Sequence, residues 1–333
     1  MKVCVHYPHL RRGDAFDGAR LRKTLKGACE SIGVEWEEEP SPSTDIAHFL
    51  SPLDLRALRS CKKKGIKTVV SCFYCENDPS ASFLTGKNGK ELSPKAEKMI
   101  AEADEVLVPT EEFLEKVKPL RPQGGAIAML PGVNLARFSS KTVESDIFMR
   151  YFRVPFDEKF AVCIGSYDDK KTLASLRKLA SLTPKMTFFF FGTKKGMPVR
   201  LSLPSLARKS PENLFFQPIV EDDVYRSALM HCCCYLLLDD EHPDQMGLLD
   251  AFASGAEVVG IGQQTVNPIL QNGVNSLLFR DEEGASKALS RLYLEQDKAI
   301  IMAGYGIAES CALPLFAKQL FGVYEKTLKK EIA

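Results

Sequence analysis

Short apolar runs alternate with longer amphipathic stretches along nearly the whole chain, and the alternation forms two series. In the first, Lys2–Tyr7 reads as a strand and Ala19–Ile32 as a helix stopped by Gly33. Asp45–Phe49 is a short strand, Leu53–Lys64 a helix ended by Gly65, and Lys67–Phe73 the next strand. Ser93 and Pro94 supply the N-cap and first position of a helix reaching Glu102. Glu105–Val108 is a strand, Thr110 caps a helix starting at Glu111, and Gly125–Leu130 closes this half. Pro131 to Pro155 carries no clear strand and reads as a connector. The second series runs through strands Lys159–Ile164, Met186–Phe191, Leu214–Gln217, Cys234–Leu238 and Glu257–Ile261. Helices Thr172–Ser181, Asp222–His231 and Met246–Ser254 lie between them, and Gly284–Gln296 and Pro314–Lys330 read as closing helices.

Continuous apolar strands such as Met186–Phe191 suit parallel sheets covered on both faces. The pattern therefore predicts an α/β chain of two Rossmann-like, doubly wound parallel-sheet domains facing across a cleft. Residues 1–150 form the first domain and residues 151–312 the second, with a C-terminal helix in 313–333 packing back on the first. A length of 333 residues agrees with two domains.

Composition then removes several classes. The hydrophobic fraction of 45% and charged fraction of 26% are those of an ordinary globular protein. A net charge of +1 argues against a dedicated nucleic-acid binder. No signal-peptide pattern and no run of ~18 apolar residues is visible, so a cytoplasmic chain is expected. Of the ten cysteines, Cys4, Cys163 and Cys232–Cys234 lie in apolar runs and read as buried thiols. Cys72 and Cys75 have CxxC spacing, but no second pair follows, and a strand end with two thiols is the preferred reading over a metal or redox site.

The stretch from Asp239 to Gly255 concentrates the candidate chemistry. It follows an apolar strand, gathers Asp239, Asp240, Glu241, His242 and Asp244 at the strand's C-terminal end, and then opens a helix. Ligands of open α/β sheets bind at that edge, and a helix N-terminus there offers N–H groups and a positive dipole end to a phosphate. A nucleotide-type ligand follows from this arrangement.

Several segments in order resemble glycosyltransferase family 4, of the two-Rossmann GT-B architecture. They are Val106–Thr110 with the helix after it, Leu130–Phe138, Ile164–Lys171, Ala251–Gly255, Val258–Val259 and Asn272–Phe279. The compact length and Glu76-Asn77-Asp78 look most like bacterial members that glycosylate diacylglycerol-type lipids. The resemblance implies a nucleotide sugar donor, commonly UDP-linked, and transfer with retention to a lipid or saccharide acceptor. It implies no cofactor and no obligatory metal. The C-terminal domain is expected to hold the nucleotide and the N-terminal domain to present the acceptor.

Carried over residue by residue, Lys171 falls where the family has a lysine on the diphosphate, and Ser166 where it usually has arginine. Asp250 falls on the acid that binds the ribose hydroxyls. His242 falls on the first acid of the same motif, with Glu241 beside it, and this pair is the catalytic candidate. Gly192, Met246 and Gly247 complete the expected nucleotide-sugar side, with Gln245 where the family usually has glycine. On the acceptor side stand Arg11, Arg12 and Gly13, and Phe73 falls where the family often has a histidine. His6 is expected to be buried and His9 to point into the cleft.

Basic residues cluster in the N-terminal half at Arg11, Arg12, Arg20, Arg22, Lys23, Lys26 and Lys62–Lys64. In GT-B enzymes of lipid substrates this half is expected to face the membrane, and ~1 kcal/mol per basic residue near an anionic surface gives reversible docking. The joint departures at Phe73, Ser166, His242 and Gln245 keep an alternative open: a catalytically lapsed GT-B protein that binds a nucleotide sugar or glycan, or serves as partner subunit of an active glycosyltransferase.

Overall fold

A computed structural model describes residues 1–6, 16–73, 92–139, 146–193, 199–238, 245–262 and 269–329. The chain divides into two units, Met1–Val133 with Cys311–Ala333, and Asn134–Ser310.

The first unit begins β1 (Lys2–His6), α1 (Phe16–Ser31), β2 (Glu35–Glu37), β3 (Ile46–Phe49), α2 (Leu55–Lys63) and β4 (Lys67–Ser71). It continues α3 (Pro94–Glu102), β5 (Glu105–Val108), α4 (Glu111–Val117) and β6 (Ala126–Ala128). The strands pair in parallel in the order β2-β1-β3-β4-β5-β6. Caps set where the helices start. Asp54 accepts from the Ala57 N–H, Ser93 from Ala96 and Thr110 from Phe113, each satisfying an otherwise orphaned donor. Phe49, Leu58, Val70, Met99, Ile100 and Val106 form the core between the sheet and α2–α4. The strand β2 is absent from the sequence reading, because Glu35-Trp36-Glu37 shows too short an alternation to stand out.

The second unit contains α5 (Ile147–Phe152), β7 (Phe160–Ser166), α6 (Lys170–Leu182), β8 (Thr187–Thr193), α7 (Leu203–Ala207), β9 (Leu214–Pro218) and α8 (Asp222–His231). It goes on with β10 (Cys234–Leu237), α9 (Gln245–Ser254), β11 (Glu257–Ile261), β12 (Leu277–Phe279), α10 (Glu282–Leu292) and α11 (Lys298–Ser310). The parallel order is β12-β11-β10-β7-β8-β9. The four consecutive phenylalanines of β8 explain the sheet's two covered faces. Phe188 and Phe190 enter the core with Leu176, Leu236 and Leu289. Phe189 meets Phe148 of α5, ring centroids 5.0 Å apart, as the pleat sends neighbouring side chains to opposite faces.

That α5 packing moves the boundary. The sequence reading ends the first domain at residue 150, whereas the division falls at Val133. Phe148 is fully buried against Phe160, at 5.0 Å, and its backbone N–H donates to Ser227 Oγ of α8 at 3.1 Å. Phe148 and Met149, from the stretch read as a connector, are therefore already part of the second unit's core.

The chain returns to the first unit as α12 (Leu313–Lys329), which packs on α1 and lies beside β4. Tyr324 of this helix and Ser71 of β4 each lie 2.7 Å from one ring nitrogen of His48 on β3. Burial holds the His48 imidazole neutral, its pKa pushed down to about 3. No helix among the described residues is long and apolar enough to cross a membrane.

Candidate functional site

The C-terminal ends of β7, β8 and β10 and the starts of α6 and α9 gather the candidate donor residues in the second unit. At the end of β7, Gly165 and Ser166 stand opposite Gly192 and Thr193 of β8. The chain then turns tightly. Ser166 Oγ accepts from the Asp168 N–H at 3.1 Å, and Tyr167 folds inward over the sheet edge. The Tyr167 hydroxyl donates to the Gln217 carbonyl at 2.7 Å, and burial pushes its pKa up. A Cβ on Gly192 would come within 2.6 Å of the Tyr167 ring and 2.7 Å of the Phe190 ring. Gly192 thus makes room for two aromatic rings.

Asp169 caps α6. Its Oδ1 accepts from the backbone N–H groups of Lys171 at 2.9 Å and Thr172 at 3.1 Å. The Lys171 side chain is exposed, as a diphosphate ligand requires, but a carboxylate already occupies two of the helix-end donors. The capping preference of aspartate just before a helix is a signal the sequence carries and the reading above passes over.

The helix α9 is buried on all sides from Gln245 to Ala253, so Gln245, Met246, Gly247 and Asp250 lie together inside the unit. Asp250 is 2% exposed. Its Oδ1 lies 3.4 Å from Nη1 of Arg137, which extends from a 3₁₀ turn at Leu135–Phe138. The Nη2 of Arg137 donates to Asp222 Oδ1 on α8 at 2.5 Å. Arg226 completes the network, with Nη1 donating to the Arg137 carbonyl at 3.0 Å and Nη2 paired with Asp223. Sequence reasoning finds Asp250 and misses Arg137, Asp222 and Arg226. Nothing in local spacing links residues that lie 113 and 85 positions apart.

The catalytic candidates Glu241 and His242, together with Arg11, Arg12, Gly13, His9 and Cys75, lie outside the described residues. Phe73 is 7% exposed after the end of β4. Beside it Cys72 is fully buried, with burial pushing its thiol up, and Ser71 is committed to His48. The described part of this strand end therefore offers no group for proton exchange. His6, at the end of β1, is half-buried with Nε2 3.3 Å from Asp54 Oδ2. Among the described residues no group of three His, Cys, Asp or Glu side chains could hold a metal ion.

No known family profile matches the chain. Over 306 residues it is 19% identical to the processive diacylglycerol alpha-glucosyltransferase of Acholeplasma laidlawii, covering 91% of this chain and 92% of that protein. Its structure resembles sucrose-phosphate synthase from Thermosynechococcus elongatus with a TM-score of 0.74 at 12% identity, over 98% of each chain. It also resembles HepE of Anabaena, solved in complex with UDP-glucose, with a TM-score of 0.72 at 13% identity, over 98% of this chain and 100% of that one. By fold the chain is a GT-B protein. Its likeness, in sequence and in structure, is to glycosyltransferases of that fold along nearly the whole length.

Proposed function

We propose that the chain is a glycosyltransferase that moves a sugar, glucose in the first instance, from a UDP-linked donor to a diacylglycerol-type lipid, with retention of configuration and no obligatory metal or cofactor. The observation that carries this reading is the nearly full-length likeness to a diacylglycerol alpha-glucosyltransferase. In the proposed reaction the bond from the sugar C1 to the diphosphate oxygen breaks and the acceptor oxygen bonds C1 on the same face. The hydroxyl proton passes to the departing phosphate. Lys171 and the helix ends of the second unit neutralise the charge that develops there, and Asp250 accepts from the ribose hydroxyls.

A lipid acceptor also gives a use to a groove on the first unit. Arg56, Arg59 and Lys63 follow one another at i, i+3 and i+7 along α2 and line an open groove with Lys95 of α3. Arg59 pairs with Glu102, whereas Arg56 and Lys63 have no ion pair among the described residues. In this reading the groove faces an anionic bilayer, and the protein is cytoplasmic and peripheral at the inner membrane face.

The inward fold of Tyr167 over Gly192 and the apolar Phe73 support a second reading, a catalytically lapsed partner subunit of an active glycosyltransferase. One assay separates the two. The purified chain is incubated with UDP-glucose and vesicles of diacylglycerol and phosphatidylglycerol, with and without EDTA. A glucosyl-diacylglycerol of α configuration, formed equally in both, is the expected result. If no UDP-hexose yields product while a transferase co-purifies with the chain, the second reading holds. If vesicle binding is equal with and without the anionic lipid, the docking groove is ruled out.

A further inference from the structure

Asp250 is a carboxylate placed inside a helix buried on all sides, where a charge persists only with fixed partners. Arg137 is such a partner, and the structure fixes it in turn. One arm of its fork is taken by Asp222 of α8 at 2.5 Å. Its carbonyl receives Arg226 Nη1 at 3.0 Å, and Arg226 Nε lies 3.5 Å from the other oxygen of Asp222. The side chain of Arg137 is 18% exposed, so little solvent competes for it. The contact with Asp250, at 3.4 Å, is the longer of its two ion pairs. A carboxylate has about four lone-pair sites, so the long contact from Arg137 to Oδ1 orients the group without using up its capacity to accept.

We propose that Arg137 is a positioning residue for nucleotide recognition: anchored on α8 through Asp222, it holds the Asp250 carboxylate in the orientation that accepts from a ribose diol. This rests on the reading of Asp250 given under the proposed function. A lysine cannot replace it, because an ammonium is a point charge and lacks the planar fork that reaches two acids in fixed directions. Asp222 then matters for ribose recognition without touching the nucleotide.

The test is calorimetric binding of UDP and of 2′,3′-dideoxy-UDP to the unaltered protein and to Arg137→Lys, Arg137→Met and Asp222→Asn. Hydrogen bonds to a charged acceptor should give the unaltered protein about a ten- to a hundredfold preference for UDP. Arg137→Lys and Arg137→Met should reduce that preference to about threefold or less while affinity for the dideoxy nucleotide stays level, and Asp222→Asn should fall between. A general loosening of the unit would weaken both nucleotides alike and leave their ratio intact, which overturns the proposal. UDP binding with the ratio unmoved in Arg137→Lys, the variant that keeps the charge, overturns it equally. Absence of UDP binding by the unaltered protein overturns the nucleotide reading itself, and this proposal with it.

Discussion

The first unit buries a neutral polar cluster, His48 between Tyr324 and Ser71, where the second sets a buried carboxylate, Asp250, against a half-buried guanidinium, Arg137, with Asp222 alongside. Both clusters join elements distant in sequence around a parallel six-stranded sheet. The neutral one is sealed, with His48 and Ser71 fully buried and both imidazole nitrogens engaged, so it fastens α12 to the sheet. The charged one incurs a desolvation cost that hydrophobic residues of the same volume would avoid. Its Asp250 lies on α9, which follows β10 in the chain, and open α/β sheets take ligands at the C-terminal ends of their strands. The contrast teaches where to look for function: the inexpensive cluster is a fastening, and the expensive one stands beside the candidate nucleotide site.

The largest effect expected from breaking this contrast is on the charged side. Arg137→Ala removes a cation from beside a buried carboxylate and should cost about 3 kcal/mol, the low end for a broken buried pair because Arg137 retains some solvent contact. The molecule offers a way to see which unit suffers. Its single tryptophan, Trp36, lies in β2 of the first unit with the Lys26 ammonium 4.3 Å from the ring centroid. Denaturant unfolding of Arg137→Ala should shift the circular-dichroism transition and leave the Trp36 fluorescence transition in place. A shift of Trp36 fluorescence instead would mean that the charged cluster does not act within its own unit.

The neutral side should respond more weakly and with the opposite spectroscopic pattern. Tyr324→Phe leaves one nitrogen of His48 without its hydroxyl partner, at a cost of about 1–2 kcal/mol, read in the Trp36 transition. Acid probes the same site. His48 stays neutral in the folded state down to about pH 3, whereas the unfolded chain takes up a proton near 6.5. Over that window the unfolded state binds more protons, so stability falls as pH falls, by up to ~1.4 kcal/mol per pH unit, and is fully present above 6.5. His48→Gln should remove that component of the slope. An unchanged slope in the variant would show that other groups carry the acid sensitivity.

The same contrast marks what the sequence makes legible. Periodicity places nearly every strand of both sheets, because runs such as Phe188–Phe191 are apolar from end to end and flanked by turns. It fails for several helices, of which α5 and α11 show why. The first is six residues long and held by Phe148 stacking on Phe160 and Phe189, contacts made only after folding. The second contains Gly304 and Gly306, poor helix formers. Its Gly304 is tolerated because a Cβ there would come within 2.5 Å of the Phe252 ring of α9. At the site, Asp250 and Lys171 are visible as motif residues. Arg137 and Tyr167 are not, since their contacts are with other elements. Local chemistry such as a helix cap is readable in the sequence, and a contact across the fold is not.

The smallest contrast lies between two helix caps. Asp54 caps α2 with one oxygen and takes His6 with the other, so its charge is shared with a side chain. Asp169 caps α6 with Oδ1 alone, bonding two backbone N–H groups at the end where a diphosphate would be neutralised. Two substitutions separate the cap from its charge. Asp169→Ala loses both and should cost about 1 kcal/mol of stability in the second unit. Asp169→Asn keeps a capping oxygen and removes the negative charge, so stability should hardly change. If α6 points its positive end at the nucleotide, losing that charge should tighten UDP binding by about two- to fivefold at low ionic strength, with the gain shrinking as salt is added. UDP affinity that is unchanged or weaker in Asp169→Asn would place the diphosphate elsewhere and leave the α9 end as the anion site.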